Sequence, residues 1–248
     1  MKMIKTFGDP SLPAIFLIHG GGLSWWMWQT HIDLLQPHFY VLVPVLSGHG
    51  ENNKEDFISI SESANQIISF INNNLNGNVN TLVGLSVGAQ IICDMLAKQP
   101  NITQNAIIES ALVKRMPLMT QLGAPIVTLT YPLIKKKWFA KLQAKQLYIP
   151  NDMFTAYFED SKKMSKQSLI NLTKSNADFS INKTITQTAS RIIILYGERE
   201  PHIMQTSARQ LANSLPSAQL AKQQNMHHGE KCLTAPRAHA QLILDFIS

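Results

Sequence analysis

A serine stands between two glycines in VGLSVGAQ, residues 83–90, where a run of apolar residues gives way to a helix-forming one. A serine hydroxyl is a poor nucleophile at neutral pH and becomes reactive only with a base in hydrogen-bond reach. Glycines two residues either side of Ser86 remove the side chains that would crowd a sharp strand-to-helix turn, so the hydroxyl can stand exposed there. The same turn points the amide of Val87 toward the place where an oxyanion would form. A second donor is offered by the bare backbone of His19-Gly20-Gly21-Gly22, with Gly21 the first choice and Gly22 the second. Carboxylates stand in Glu198-Arg199-Glu200, and imidazoles in His227-His228-Gly229. Nucleophile, base, acid and donor loop are the parts of an acyl-transfer site.

Such residues act together only if the chain carries them to one place. In an open α/β sheet that place is the carboxyl edge of the strands. The runs AIFLIH (14–19), YVLVPV (40–45), TLVGL (81–85), AIIES (106–110) and RIIILYG (191–197) are apolar without alternation, which predicts strands buried on both faces. QLAKQQNM (219–226) is a weaker strand. The candidate loops and turns each follow one of these runs. Helices fill the intervals. Ser59 and Glu62 have the spacing of a capping box, and Ile60, Ala64, Ile67, Ile68, Ile71 and Leu75 form one apolar stripe. A helix from Val87 to Lys98 ends before Pro100, and one starting near His202 ends at Pro216. A last helix, led in by Thr234 and Pro236, carries Leu242, Ile243, Phe246 and Ile247. The expected fold is α/β, a mostly parallel, doubly wound sheet.

Residues 112–190 break the alternation. They hold no convincing strand, but amphipathic stretches, prolines at 117, 125, 132 and 150, and several aromatics. This is too long for a plain loop in a compact domain, so we expect a helical insertion, with 1–111 and 191–248 forming the core. The insertion also concentrates charge. It holds 12 Lys and Arg against 4 Asp and Glu, a surplus of 8 in a chain whose net charge is +6, which leaves −2 for the rest. A basic segment can attract nucleic acid, acidic lipid headgroups or anionic substrates. Without an aromatic or glycine-rich binding pattern beside the lysines, a solvated helical surface is the expectation, with no nucleic-acid partner.

At 248 residues and 45% apolar composition, the chain can bury one large core. No stretch reaches the roughly 20 apolar residues of a membrane span. The start, MKMIKTFGDPSLPAIFLIHG, lacks the small-residue site of a cleavable signal, which points to a cytoplasmic protein. Cys93 and Cys232 have neither disulfide-framework nor zinc-ligand spacing, and the histidine doublet has no further ligands near it, so no metal and no cofactor are expected.

The chain resembles the α/β-hydrolases, in the branch with a helical cap. The resemblance rests on G-x-S-x-G in its strand-turn-helix setting, on HGGG after an earlier strand, and on the order serine, acid, histidine. It implies that Ser86 is the nucleophile. In such families a Gly-His pair follows the last strand, which aligns His228 with the catalytic base and leaves His227 as the alternative. The usual acid pattern, G-x-x-D, becomes Gly197-Glu198-Arg199-Glu200 here, so Glu200 is the implied acid; Glu109, ending AIIES, and then Glu198 are the alternatives. His19 is expected to hold the glycine loop, and His49 to belong to a tight turn where the family's usual aspartate is replaced by Val45. The insertion would be the cap, with Trp25 and Trp26 as pocket walls. The implied activity is hydrolysis of a small-molecule carboxylic ester or thioester. Carbon-carbon bond hydrolysis on the same fold and a ligand-binding regulatory role are the alternatives.

Overall fold

The computed structural model of the protein describes residues 3–215 and 217–248. Its sheet has seven strands: β1 (Ile4–Phe7), β2 (Ala14–Ile18), β3 (Tyr40–Pro44), β4 (Val79–Leu85), β5 (Thr103–Glu109), β6 (Arg191–Gly197) and β7 (Gln219–Gln223). Their spatial order is β1-β3-β2-β4-β5-β6-β7, and every pairing is parallel except β1 with β3. The inner strands are buried on both faces, which is why their sequences read as unbroken apolar runs.

The helices of the core are α1 (Gln29–Leu35), α2 (Ile60–Asn74) and α3 (Val87–Lys98), then, beyond an insertion, α8 (His202–Ser214), α9 (Glu230–Thr234) and α10 (Pro236–Ile247). Two apolar clusters flank the sheet. One joins Phe16, Leu82, Ala106, Ile108 and Ile194 to the inner faces of α2 and α3. The other joins Ile15, Leu17, Val83, Ile107 and Leu195 to α1 and α10. Alternate residues of one strand therefore serve opposite layers. At α2 the Ser59 hydroxyl accepts from the Glu62 amide at 3.0 Å, but the Glu62 carboxylate accepts from Gln66 instead of closing the box. Half of the reciprocal cap forms.

Between β5 and β6 stand α4 (Pro117–Ile134), α5 (Lys137–Gln146), α6 (Phe154–Lys163) and α7 (Lys166–Asp178). α4 runs through Pro125 and Pro132, each of which removes one helical donor. Polar contacts tie this segment to the loop after β3. The Phe57 amide donates to Ser168 Oγ at 3.1 Å, Asn171 donates to the Phe57 carbonyl at 2.8 Å, and the hydroxyls of Ser165 and Ser168 donate to Asp56.

Three sequence expectations need correction. β1 has no counterpart among the expected strands: it is four residues long, half-buried and antiparallel at the sheet edge, too short and polar to show a pattern. β4 and β5 begin earlier than their apolar runs, at Val79 and Thr103, because polar Asn80 and Gln104 still pair in the ladder region. The weak strand ends at Gln223, before Met226. The stop at Pro216 lies outside the described residues. No described helix is long and apolar enough to cross a membrane.

Candidate active site

Ser86 follows β4 directly and precedes the first residue of α3, with φ of 55° and ψ of −112°. A non-glycine residue held there costs on the order of 1–3 kcal/mol, so the surroundings must enforce it. They do so by close approach. A Cβ on Gly84 would stand 2.6 Å from the carbonyl of Gly88, and one on Gly88 would run into the carbonyl oxygen of Ile18 on β2. Only glycine lets strand and helix meet so closely, and the serine between them takes the strained corner. The amide of Val87 opens α3, where the first turn has no helical acceptor for its donors.

The Ser86 hydroxyl donates to Nε2 of His228 at 3.0 Å. On the far side of the ring, Nδ1 of His228 lies 3.2 Å from Oε1 of Glu200. The Glu200 side chain is wholly buried and the His228 side chain 34% exposed, so the chain of contacts runs from the interior toward an accessible hydroxyl. Ser110, in a left-handed conformation just after β5, donates its hydroxyl to the same Glu200 oxygen. Backbone bonds set the spacing of the two loops: the Glu198 amide donates to Gln223 O at 3.0 Å and the Arg199 amide to Met226 O at 2.9 Å. From α8, the Gln205 amide group donates to the carbonyls of Glu198 and Glu200.

The glycine loop after β2 lies beside this turn. A Cβ on Gly21 would meet a methyl of Val87 at 3.1 Å, and Gly22 has φ of 75° with open space around it. His19 holds the loop: its Nδ1–H donates to Gly20 O at 2.9 Å and its Nε2 accepts from the Leu46 amide at 3.2 Å. Burial, and next the charge of nearby His49, pushes the His19 pKa down to about 3, and burial pushes that of His49 to about 4, so both stay neutral struts.

A cavity of about 170 Å³ lies between the glycine loop and the inserted helices. Gly21, Gly22, Leu23, His49 and Gly50 line it from the core, and Ile134, Gln143, Tyr157, Asp160, Met164 and Leu172 from the insertion. Most of its wall is apolar, and His49, Gln143, Asp160, Ser161 and the Tyr157 hydroxyl are its polar points. The lining residues of the insertion, together with His49 and Ser110, carry no local motif that would mark them in the sequence as parts of a site.

The remaining candidates lie elsewhere. Trp26 does not line the cavity; its indole donates to Asp160 at 2.8 Å and so clamps the insertion to the core. Trp25 packs against Phe7 under the ammonium of Lys5, at the sheet edge. Both depart from the expected role as pocket walls, because the 3₁₀ turn that carries them aims one ring outward and the other across to α6. His227 pairs with Glu230 at 2.9 Å and stacks on Tyr148 of the insertion. Glu198 is a surface group bonded to Lys222 and the Asn225 amide, and its pKa is lowered by the Lys222 hydrogen bond first.

Glu109 turns to the side of the sheet covered by α1 and α10. Its carboxyl lies 2.8 Å from Nε2 of His239, whose Nδ1 is 2.9 Å from Nε2 of His31, all in the closed core. Cys232 adjoins them, and burial together with the Glu109 charge raises its thiol well above the ordinary value. His31, Cys232 and His239 bring ligand atoms within 4.8 Å of one another, and are the described side chains best placed to hold a metal. The two imidazoles, however, direct their facing nitrogens at each other instead of at a common point. Cys93 is separate, and burial raises its thiol to about 12.

Residues 15–229 match the family model described as alpha/beta hydrolase family, which covers most of the chain. The chain belongs to this family. No curated protein matches it. Solved structures share the family fold at low identity. A carboxylesterase of Nitrososphaera gargenis is 17% identical, with a TM-score of 0.82 over 99% of this chain and 93% of that one. The enol-lactonase of Burkholderia xenovorans LB400 is 14% identical, with a TM-score of 0.82 over 99% and 95%. A thermophilic esterase of Thermogutta terrifontis is 16% identical, with a TM-score of 0.78 over 99% and 92%. At these identities the likeness establishes the fold alone, and family membership alone leaves the substrate open.

Proposed function

We propose that the protein is a serine hydrolase that cleaves a small carboxylic ester or thioester. One observation carries the proposal: an unbroken series of contacts from Glu200 through His228 to the hydroxyl of a strained serine. In the reaction, His228 Nε2 takes the proton of Ser86 as its oxygen attacks the carbonyl carbon, and Glu200 holds the ring and stabilises the imidazolium. The amides of Val87 and Gly21, with Gly22 as second choice, donate to the oxyanion, an effect worth roughly 3 kcal/mol per donor. His228 returns its proton to the leaving alcohol or thiol, and water, deprotonated by the same nitrogen, then releases the carboxylic acid and restores Ser86.

Residues 112–190 act as the cap in this reading. The small, mostly apolar cavity beneath them favours a short acyl group. The esterases and the lactonase among the structural relatives support ester chemistry. A fluorophosphonate probe should label Ser86 stoichiometrically, and Ser86→Ala should abolish labelling. A series of p-nitrophenyl esters should show kcat/KM falling once the acyl chain outgrows the cavity, by roughly 1–3 kcal/mol of barrier per unfavourable methylene. Folded protein that resists the probe would favour a ligand-binding role, and turnover of diketones but not esters would favour carbon-carbon cleavage.

A further inference from the structure

α4 is 18 residues long and contains no charged side chain. It packs Gly123, Val127 and Ile134 inward, with Gly123 facing Thr173 of α7. Its other side presents Leu118, Leu122, Ile126 and Leu129, exposed by 68%, 45%, 46% and 83%. Steps of four, four and three residues place them in one stripe along the helix. α5 continues the surface with Trp138 at 61% and Leu142 at 51%, so among the described residues six of the eight exposed large hydrophobic ones lie on these two helices. A water-facing helix ordinarily carries charge on its outer side. This one does not.

Cations surround the apolar stripe. Lys114 and Arg115 precede α4, Lys135, Lys136 and Lys137 follow it, and Lys141 and Lys145 alternate with the exposed apolar residues of α5, all of them exposed. Among the described residues, no carboxylate lies in ion-pair reach of Lys114, Lys136, Lys137, Lys141 or Lys145. An apolar helix face ringed by free ammonium groups is complementary to a layer that is apolar inside and anionic at its rim. A second copy of the chain fits less well, because a two-fold contact through α4 would set the same lysines against each other. The helix is not apolar enough over its length, and is too interrupted by proline, to span such a layer. It can lie along one.

We propose that the outer face of α4 and α5 docks onto an anionic lipid surface, with the leucines, Ile126 and Trp138 in the acyl boundary and the lysines among the headgroups. Ile134, which ends α4, also lines the cavity, so docking would bring the cavity's cap wall close to the lipid. The inference rests on the surface itself and not on the proposed hydrolysis.

Co-sedimentation of the full chain with vesicles tests it. Vesicles of equal parts phosphatidylcholine and phosphatidylglycerol should bind at least about tenfold more tightly than phosphatidylcholine alone, and binding should weaken with salt. Lys136→Gln and Lys137→Gln should each reduce affinity about fivefold. The double variant Leu118→Ser with Leu129→Ser should lose binding while its melting temperature and labelling at Ser86 stay those of the parent. Equal binding to both vesicle types, or undiminished binding by the leucine variant, overturns the proposal. So does a dimer in solution that the leucine variant dissociates, with no vesicle binding: the face would then be a self-association surface.

Discussion

Two glutamate–histidine pairs lie at neighbouring strand ends and differ in almost everything except composition. Glu200 and His228 meet beyond β6 and β7, where the imidazole is one-third exposed and its free nitrogen faces a serine. Glu109 and His239 meet on the α1 and α10 side of the sheet, from the end of β5, where both side chains are buried and the free nitrogen faces a second histidine. Each carboxyl orients a ring. Only the first ring ends on a group that can attack a substrate, and only there does the cavity-bordering glycine loop stand beside the turn. A carboxylate–imidazole pair is thus a general structural device, and its third partner and accessibility decide whether it can do chemistry.

The comparison breaks most sharply in rates. Glu200→Gln should lower kcat on a short p-nitrophenyl ester by roughly 10²–10⁴, since an amide can no longer fix the tautomer or balance the imidazolium. Glu109→Gln should leave kcat within a few fold, and Glu198→Gln should leave it unchanged. Equal losses from Glu200→Gln and Glu109→Gln would erase the distinction between the two pairs.

Stability should separate them in the opposite sense. His239→Ala leaves a buried carboxyl and a buried imidazole without their partner and opens a cavity, which should cost about 3–5 kcal/mol in urea unfolding. His228→Ala, at a partly exposed position, should cost far less while abolishing turnover. The reverse order would mean that the buried pair is not structural.

The most gradual expected effect is the pH dependence of folding. Burial lowers the pKa of His19 to about 3 and of His49 to about 4, and it lowers that of His31 well below the ordinary value, helped by the charge of His239. An unfolded histidine titrates near 6.5. Stability from these groups is therefore complete above that pH and is lost as pH falls toward about 4, because the unfolded chain takes up protons that the folded chain refuses. The loss should be on the order of 1 kcal/mol per pH unit for each histidine, read as a falling urea midpoint between about pH 7 and pH 5. His31→Gln should reduce that slope by the share of one proton. A flat profile would show that the imidazoles of the core take up protons without unfolding.

Much of the site was legible because the features involved are local. The G-x-S-x-G turn declares itself through glycines that the close approach of β4, α3 and β2 demands, and the inner strands declare themselves through two-sided burial. β1 was not legible, since four residues at a sheet edge carry no pattern. Trp25 and Trp26 do not show their roles in the sequence, because an aromatic beside a glycine loop is equally suited to a pocket wall, a surface stack or a clamp. Ser110 and the cavity residues from the insertion had no signature at all, since their role comes from packing against distant segments.

By itself the amino-acid sequence determined the layered α/β architecture, the strand-to-helix turn at Ser86 and the short menu of acids and bases after the strands. Those follow from steric limits and burial periods that act over a few neighbouring residues. Only the tertiary structure decided which members of the menu meet. The serine and its histidine are 142 residues apart, and the serine that braces the acid is 90 residues from it. Such meetings depend on strand order and on where each side chain leaves its strand or loop: Glu200 stands in the loop after β6 and reaches His228, while Glu109 stands on β5 and turns into the core.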